Sequence, residues 1–242
     1  LTCWVYGAKE QNTEQDLSIH YRTIQHRGPD QSKFTIALTK QHAVFLGFHR
    51  LKIIDMSDNS SQPIFCQNCF LICNGEIYNY KHLILKHKLT PSSNGDCEVI
   101  VLLYKKLGFV NMLSELKGVF SFVLVDTIEN HIFAARDRLG IRPLFYKQTQ
   151  KHTLFASEAK ALRGIEGEIN PFLPGHMYIQ TSHSTLIQPY YFLPNPKEFY
   201  SVSDLYTQIR HRLHKSVSMR LQSDRPIGCF LSGGLDSSII CS

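Results

Sequence analysis

The sequence runs to 242 residues, 43% hydrophobic and 19% charged, with a net charge of +6. That length can bury a core, and the composition excludes a disordered chain. No basic run interleaved with aromatics accompanies the positive charge, so nucleic acid is not an expected partner. Neither a membrane-length apolar stretch nor a basic-then-apolar signal segment is present.

In chain order, "LTCWVYG" reads as a first strand, and "EQDLSIHYRTIQHR" as a helix with Leu17, Tyr21 and Ile24 on one face. The runs "FTIALT", "AVFLGF", "FLICN", "VFSFVLVD", "HIFAAR", "PLFYK", "TLFAS" and "HMYIQT" are rich in β-branched and aromatic residues between turn signals, the pattern of strands. Within this series "DCEVIVLLYKKLG" predicts a second helix, aligning Ile100, Leu103, Tyr104 and Leu107 and stopping at Gly108. Dense strands with helices between them give an α+β fold.

The proline-containing stretch "QPYYFLPNPKEFYS" is the expected linker, dividing the chain into 1–187, a linker at 188–203, and 204–242. Beyond it, Leu205, Ile209, Leu213, Val217 and Leu221 recur every four residues. They mark an amphipathic helix capped by Ser203 or Asp204. "PIGCFL" then reads as a buried strand feeding the glycine loop "SGGLDSS" and a new helix, the opening of a parallel α/β nucleotide-binding domain.

In that loop Gly233 and Gly234 let the backbone approach phosphate oxygens. Ser232, Ser237 and Ser238 add hydroxyls, and the following helix start favours an anion. No loop lysine is present, so it is not the kinase-type P-loop. Asp236 makes sense beside Mg2+ or as a helix cap. S-G-G-x-D-S is the signature of the PP-loop ATP pyrophosphatases, which split ATP between its α and β phosphates.

Earlier stretches also carry more than packing. "HRGPD" is a compact polar turn, and "FHRLKIID" puts Arg50 at a strand end, where it can grip a carboxylate. In "CNGEIYN" an amide side chain, Asn74, precedes a flexible glycine, Gly75, the donor pair of an oxyanion hole. "GDCEVI" opens a helix with Asp96. Singly each has a plainer reading: a surface ion pair, a hairpin turn, a helix cap.

Taken in order, "HRGPD", "FHRLKIID", "QP", "NGEIYN", "GDCEVI", "GVFSFVLVD", "RDRLGIRPLFY", "SEAKAL", "PGH" and "SGGLDSS" resemble glutamine-hydrolysing asparagine synthetase. The resemblance implies a front glutamine amidotransferase of the N-terminal-nucleophile hydrolase fold, an α/β/β/α sandwich. Behind it would stand the first helix, strand and loop of an ATP-dependent synthetase domain. Such an enzyme uses glutamine, aspartate, ATP and Mg2+, and forms a β-aspartyl-adenylate that ammonia attacks. By position, Arg50, with Leu51 and Ile54 beside it, matches the grip on the glutamine α-carboxylate. Asn74 and Gly75 match the oxyanion hole, and Glu76 and Asp96 the acids that hold the α-amino group. Leu231, Ser232, Gly233, Gly234, Leu235, Asp236, Ser237 and Ser238 match the ATP loop, with Asp236 toward the metal. Arg136, Asp137 and Arg142 match a motif that shapes the domain interior. A homodimer is compatible with the resemblance.

The family's nucleophile is an N-terminal cysteine whose own amine, of pKa about 8, serves as its base. This chain opens "LTCWVYG", so the nucleophile is expected in a short leader ahead of Leu1, and the loop at the other end reads as a cut. Cys3 is the nearby alternative, and would act only if Leu1 and Thr2 were removed. Two further readings remain: a β-lactam-forming relative with the same plan, and a glutamine-binding module without hydrolysis. The loop "SGGLDSS" argues against the phosphoribosyl-transferring amidotransferases. Seven irregularly spaced cysteines suit a reducing cytoplasm, and "CQNCFLIC" holds one C-x-x-C without the second half that zinc would need.

Overall fold

A computed structural model describes residues 1–7, 14–150, 152–195 and 201–242. Two compact units divide it, Leu1–Phe192 and Leu193–Ser242.

The first unit holds two six-stranded antiparallel sheets. One has the order β10-β8-β9-β1-β3-β2, where β1 is Thr2–Gly7, β2 Gln31–Leu38, β3 His42–Arg50, β8 Phe145–Gln148, β9 Thr153–Ala156 and β10 Asn170–Pro171. The other runs β12-β11-β7-β6-β5-β4, where β4 is Ile64–Cys66, β5 Cys69–Ile77, β6 Gly118–Asp126, β7 His131–Arg136, β11 His176–Gln180 and β12 Thr185–Pro189. Helix α1 (Glu14–Arg22) covers the first sheet, while α2 (Tyr80–His87), α3 (Glu98–Leu107) and α4 (Phe109–Glu115) cover the second.

The side-chain period of two explains the layering. Along β6, Phe120, Phe122 and Leu124 pack toward the helices, while Val123 and Val125 pack toward the other sheet. Both faces are covered, so the strand reads as one apolar run. Strand β1 likewise sends Cys3 and Val5 between the sheets and Tyr6 toward α1. The α/β/β/α sandwich expected from the sequence is thus the observed fold. Leu17, Tyr21 and Ile24 are buried as their spacing predicts, although α1 itself ends at Arg22. Gly108 stops α3 at φ +78°.

The stretch 188–192, expected as linker, belongs to the first unit: β12 reaches Pro189, the Tyr190 hydroxyl donates to the Arg136 carbonyl at 2.9 Å, and its N–H donates to the Gly175 carbonyl at 2.8 Å. Part of the remaining linker falls outside the described residues.

The second unit holds α5 (Val202–Arg220) and α6 (Leu235–Cys241). Two expectations are corrected here. The cap of α5 is Ser201, whose hydroxyl accepts from the Asp204 N–H at 3.1 Å, and not Ser203 or Asp204. "PIGCFL" is not a buried strand: 226–231 is irregular and exposed, Phe230 fully so. A strand exists through its ladder partners, and none of the described residues pairs with this run. For the same reason the apolar side chains of α5 lie in no core.

Candidate functional site

A cavity of about 150 Å³ opens where the end of β3, the end of β5 and the start of α3 converge. Arg50, Leu51, Ile54, Asn74, Gly75, Glu76 and Asp96, assigned to glutamine from the sequence, all line it.

One wall is cationic. The Arg50 guanidinium donates through Nη1 to the Ser57 carbonyl at 2.8 Å, and through Nη2 to the carbonyls of Ile54 and Asp55 and to the Ser60 hydroxyl. It therefore anchors the 54–60 loop while charging the cavity. Asp55 tightens the same loop, accepting from the Ser57 N–H and hydroxyl and from the Asn94 N–H. Arg142 also lines the cavity. It reaches Glu76 at 3.4 Å, and its Nε is buried without a partner. Arg136 and Asp137 stand apart from the cavity and shape the chain. The Arg136 guanidinium donates to the carbonyls of Gly140, Arg142 and Phe172, while the Asp137 carboxylate accepts N–H groups of Phe120, Leu139, Ile141 and Arg142.

The same lining carries two acids, Glu76 and Asp96. Asp96 is 8% exposed and accepts from the Ile77 N–H at 2.6 Å. Burial, with the Glu76 charge adding to it, pushes its carboxyl up to about 6. Glu98, the first residue of α3, clamps the loop carrying Asp96: its oxygens accept the N–H and hydroxyl of both Ser92 and Ser93 between 2.7 and 3.0 Å. Burial alone would raise the Glu98 carboxyl, but those serine donors hold it below the usual range.

Beside these groups, Asn74 and Gly75 lie in β5 opposite Ser121 and Phe120. The Asn74 amide reaches the Ser157 hydroxyl at 3.4 Å, a loose contact that leaves it able to serve a ligand. A Cβ on Gly75 would stand 2.1 Å from the Val119 carbonyl oxygen, so only glycine fits. Gln62 fixes this strand from outside, pairing its side-chain amide with both the N–H and the carbonyl of Cys73.

"HRGPD" packs against the end of β3. His26 and Arg27 each meet Glu158 at 3.1 Å, Gly28 abuts the His49 carbonyl, and Asp30 accepts the Lys52 N–H. Cys3 lies fully buried between the sheets, burial driving its thiol far above its usual range, and it does not line the cavity. With Leu1 and Thr2 in place, Cys3 is thus not presented to the cavity. Residues that the sequence did not assign, Arg27, Gln62, Cys73 and Cys97 among them, line the cavity too.

In the second unit, Gly233 has φ +82° and open space around it, and Gly234 precedes α6. The hydroxyls of Ser232 and Ser237 meet at 2.9 Å, and those of Ser237 and Ser238 donate to the Gly234 carbonyl. Backbone free of Cβ atoms beside short hydroxyls fits phosphate oxygens. Asp236 offers a single carboxylate, which fits magnesium only where phosphates supply other oxygens. Among the described residues no group of three or more His, Cys, Asp or Glu is placed to hold a metal.

This pairing of an amino-acid-sized cavity with a serine–glycine loop agrees with what the chain resembles. Residues 2–171 match the glutamine amidotransferase domain model, which is most of the chain. The chain belongs to that family. Residues 208–242 match the asparagine synthase model. A probable glutamine-hydrolysing asparagine synthetase of Acanthamoeba polyphaga mimivirus is 36% identical over 90% of this chain and 44% of its own length. A putative one from Methanocaldococcus jannaschii is 31% identical (94% and 53%), and that of Gallus gallus 34% (98% and 47%). The chain thus spans about half the length of the curated relatives it matches. Among solved structures, the glutamine phosphoribosylpyrophosphate amidotransferase of B. subtilis superposes with a TM-score of 0.62, at 19% identity over 80% of this chain and 50% of that one. An allosteric regulatory enzyme of purine biosynthesis gives 0.65 at the same identity and coverage. Both share the N-terminal-nucleophile hydrolase fold of the first unit.

Proposed function

We propose that the first unit binds glutamine and, with a nucleophilic cysteine attached ahead of Leu1, hydrolyses it to supply ammonia. The second unit begins the synthetase domain that uses that ammonia to convert aspartate to asparagine at the expense of ATP. The cavity carries the reading: it gathers Arg50 and Arg142 with Glu76 and Asp96 around an amino-acid-sized space, Arg142 reaching Glu76 at 3.4 Å. Those charges complement the carboxylate and ammonium of a free amino acid. Asn74 and Gly75 then stand where the side-chain amide carbonyl of glutamine would develop negative charge. The Leu1 backbone nitrogen lies within electrostatic range of Arg27 and Cys73, both in the cavity lining, which suits a nucleophile placed just ahead of it.

In the second unit, Leu231–Ser238 would hold the ATP phosphates, and Asp236 would join them around Mg2+. ATP activates the aspartate carboxylate as an adenylate; the residues of this chain only bind and orient its phosphates. The cysteines stand as free thiols, in keeping with a reducing cytoplasm.

Calorimetry with the reduced 242-residue chain tests the first step. L-Glutamine is expected to bind, and Glu76→Gln to weaken it, with no ammonia released for want of the nucleophile. A folded chain that shows no glutamine binding would sink the reading. Joined to a leader that carries such a cysteine and to the remainder of a synthetase domain, the protein is expected to release ammonia from glutamine, and pyrophosphate when aspartate and ATP are present.

A further inference from the structure

The cysteines of the first unit are buried, apart from a half-buried Cys66, whereas Cys229 and Cys241 of the second unit are exposed. Cys229 lies in the irregular run ahead of the serine–glycine loop, and Cys241 is the last residue of α6, behind it. Though 12 positions apart in the chain, their Sγ atoms stand 3.1 Å from each other. That is about 1 Å more than the 2.05 Å or so of a disulfide bond. The hydrogen bond to Cys229 raises the Cys241 thiol above its ordinary range, so Cys241 keeps the shared proton and the Cys229 sulfur accepts it.

The pair encloses the whole loop, including the turn at Gly233 and the contact between the Ser232 and Ser237 hydroxyls at 2.9 Å. Helix α6 has 7 residues and buries no side chain. So short a helix is marginal when its own hydrogen bonds are all that hold it. A covalent link from its last turn back to Cys229 would need little movement, and would remove the open conformations of the segment between.

We propose that Cys229 and Cys241 form a redox modification site, at which a small disulfide of the glutathione class oxidises the pair to an intramolecular disulfide that straps the serine–glycine loop onto α6. The strap is a property of the pair and does not depend on what the loop binds. The exchange balances in two steps. Cys229, as the thiolate, attacks one sulfur of oxidised glutathione; that S–S bond breaks, and one glutathione leaves as a thiolate and takes up the proton Cys229 lost. Cys241 then gives up its proton and attacks the Cys229 sulfur. The new S–S bond forms, and the second glutathione leaves with that proton. Two protein thiols are oxidised and one glutathione disulfide is reduced.

To test this, the native chain is equilibrated with oxidised and reduced glutathione, quenched with acid, alkylated and digested with trypsin. Trypsin passes over the Arg225–Pro226 bond, so the peptide 221–242 carries Cys229 and Cys241 and no other cysteine. It is expected two hydrogens lighter and unalkylated, and cleavage after Phe230 by chymotrypsin should leave two fragments joined until dithiothreitol is added. With reduced glutathione at about 1 mM, the linked form should outnumber the glutathione adducts about tenfold, because a partner thiol already in contact exceeds the millimolar effective concentration of a loose tether. In guanidinium chloride, where the contact is lost, that ratio should fall about tenfold. Cys229→Ser and Cys241→Ser should each abolish the link. Amide hydrogen exchange across α6 should slow at least about tenfold on oxidation of the native chain. Recovery of the pair mainly as glutathione adducts, a link between two chains, an equal ratio in native and denatured chain, or a link that leaves α6 exchange unchanged would each overturn the proposal.

Discussion

Replacing Asp96 by Asn should make the protein more stable and a poorer glutamine binder. Asp96 is raised from 3.8 to about 6, first by burial and further by Glu76. At about 1.4 kcal/mol per pH unit, keeping it ionised at pH 7.5 costs the folded state about 3 kcal/mol at most. Asparagine removes that charge and can still accept the Ile77 N–H through its carbonyl. Its NH2 group inherits less favourable company, so about half the gain should survive, raising Tm by about 3–6 °C. The pH dependence gives the sharper signature. In the window between 3.8 and about 6 the folded state binds the Asp96 proton more tightly than the unfolded chain does. Native stability therefore falls as pH rises through that window, and levels off above it. The Tm advantage of the variant should be full at pH 7.5 and vanish near pH 3.5. Scanning fluorimetry across this range, with calorimetry for glutamine, reads both effects. Losing the ammonium–carboxylate contact should weaken binding by about 1.5–3 kcal/mol. An Asp96→Asn protein that melts lower at pH 7.5, or a Tm gap that is the same at both ends, would refute the reasoning.

Gly75→Ala should cost about 3 kcal/mol, seen as a lower denaturation midpoint, because its Cβ would meet the Val119 oxygen at 2.1 Å and the Phe120 Cα at 2.6 Å. Glu98→Gln should lose about 2 kcal/mol by setting an amide donor against a serine N–H; the wild-type margin should shrink as pH falls below 4.5 through the lower folded value. Asp126→Ala should destabilise by about 3–5 kcal/mol in urea melts, since this buried carboxylate takes the Lys105 ammonium at 2.7 Å and the Tyr104 hydroxyl at 2.9 Å.

The long strands were legible because each is covered on at least one face. β3 and β6 carry continuous apolar runs, and β7 begins and ends where its sequence does. The short elements were not. Helix α2 has only Tyr80 and Leu83 buried and no side-chain cap, while β12 alternates weakly at a sheet edge. The Asn74–Gly75 pair was visible as a motif, but the reason for glycine, the nearness of β6, is a tertiary fact. In the second unit the periodicity of α5 was real, yet periodicity names a face and not what covers it.

The cavity draws its cationic wall partly from one sheet, through Arg50 at the end of β3, and its amide and acid groups from the other, through β5. No single strand pair sets the span between Arg50 and Asn74; the thickness of the packed layer between the sheets does. Val123, Phe155 and Tyr178, buried in that layer, therefore act as spacers. A methylene lost there would appear first as slackened selectivity between amino acids of different length, before any loss of fold.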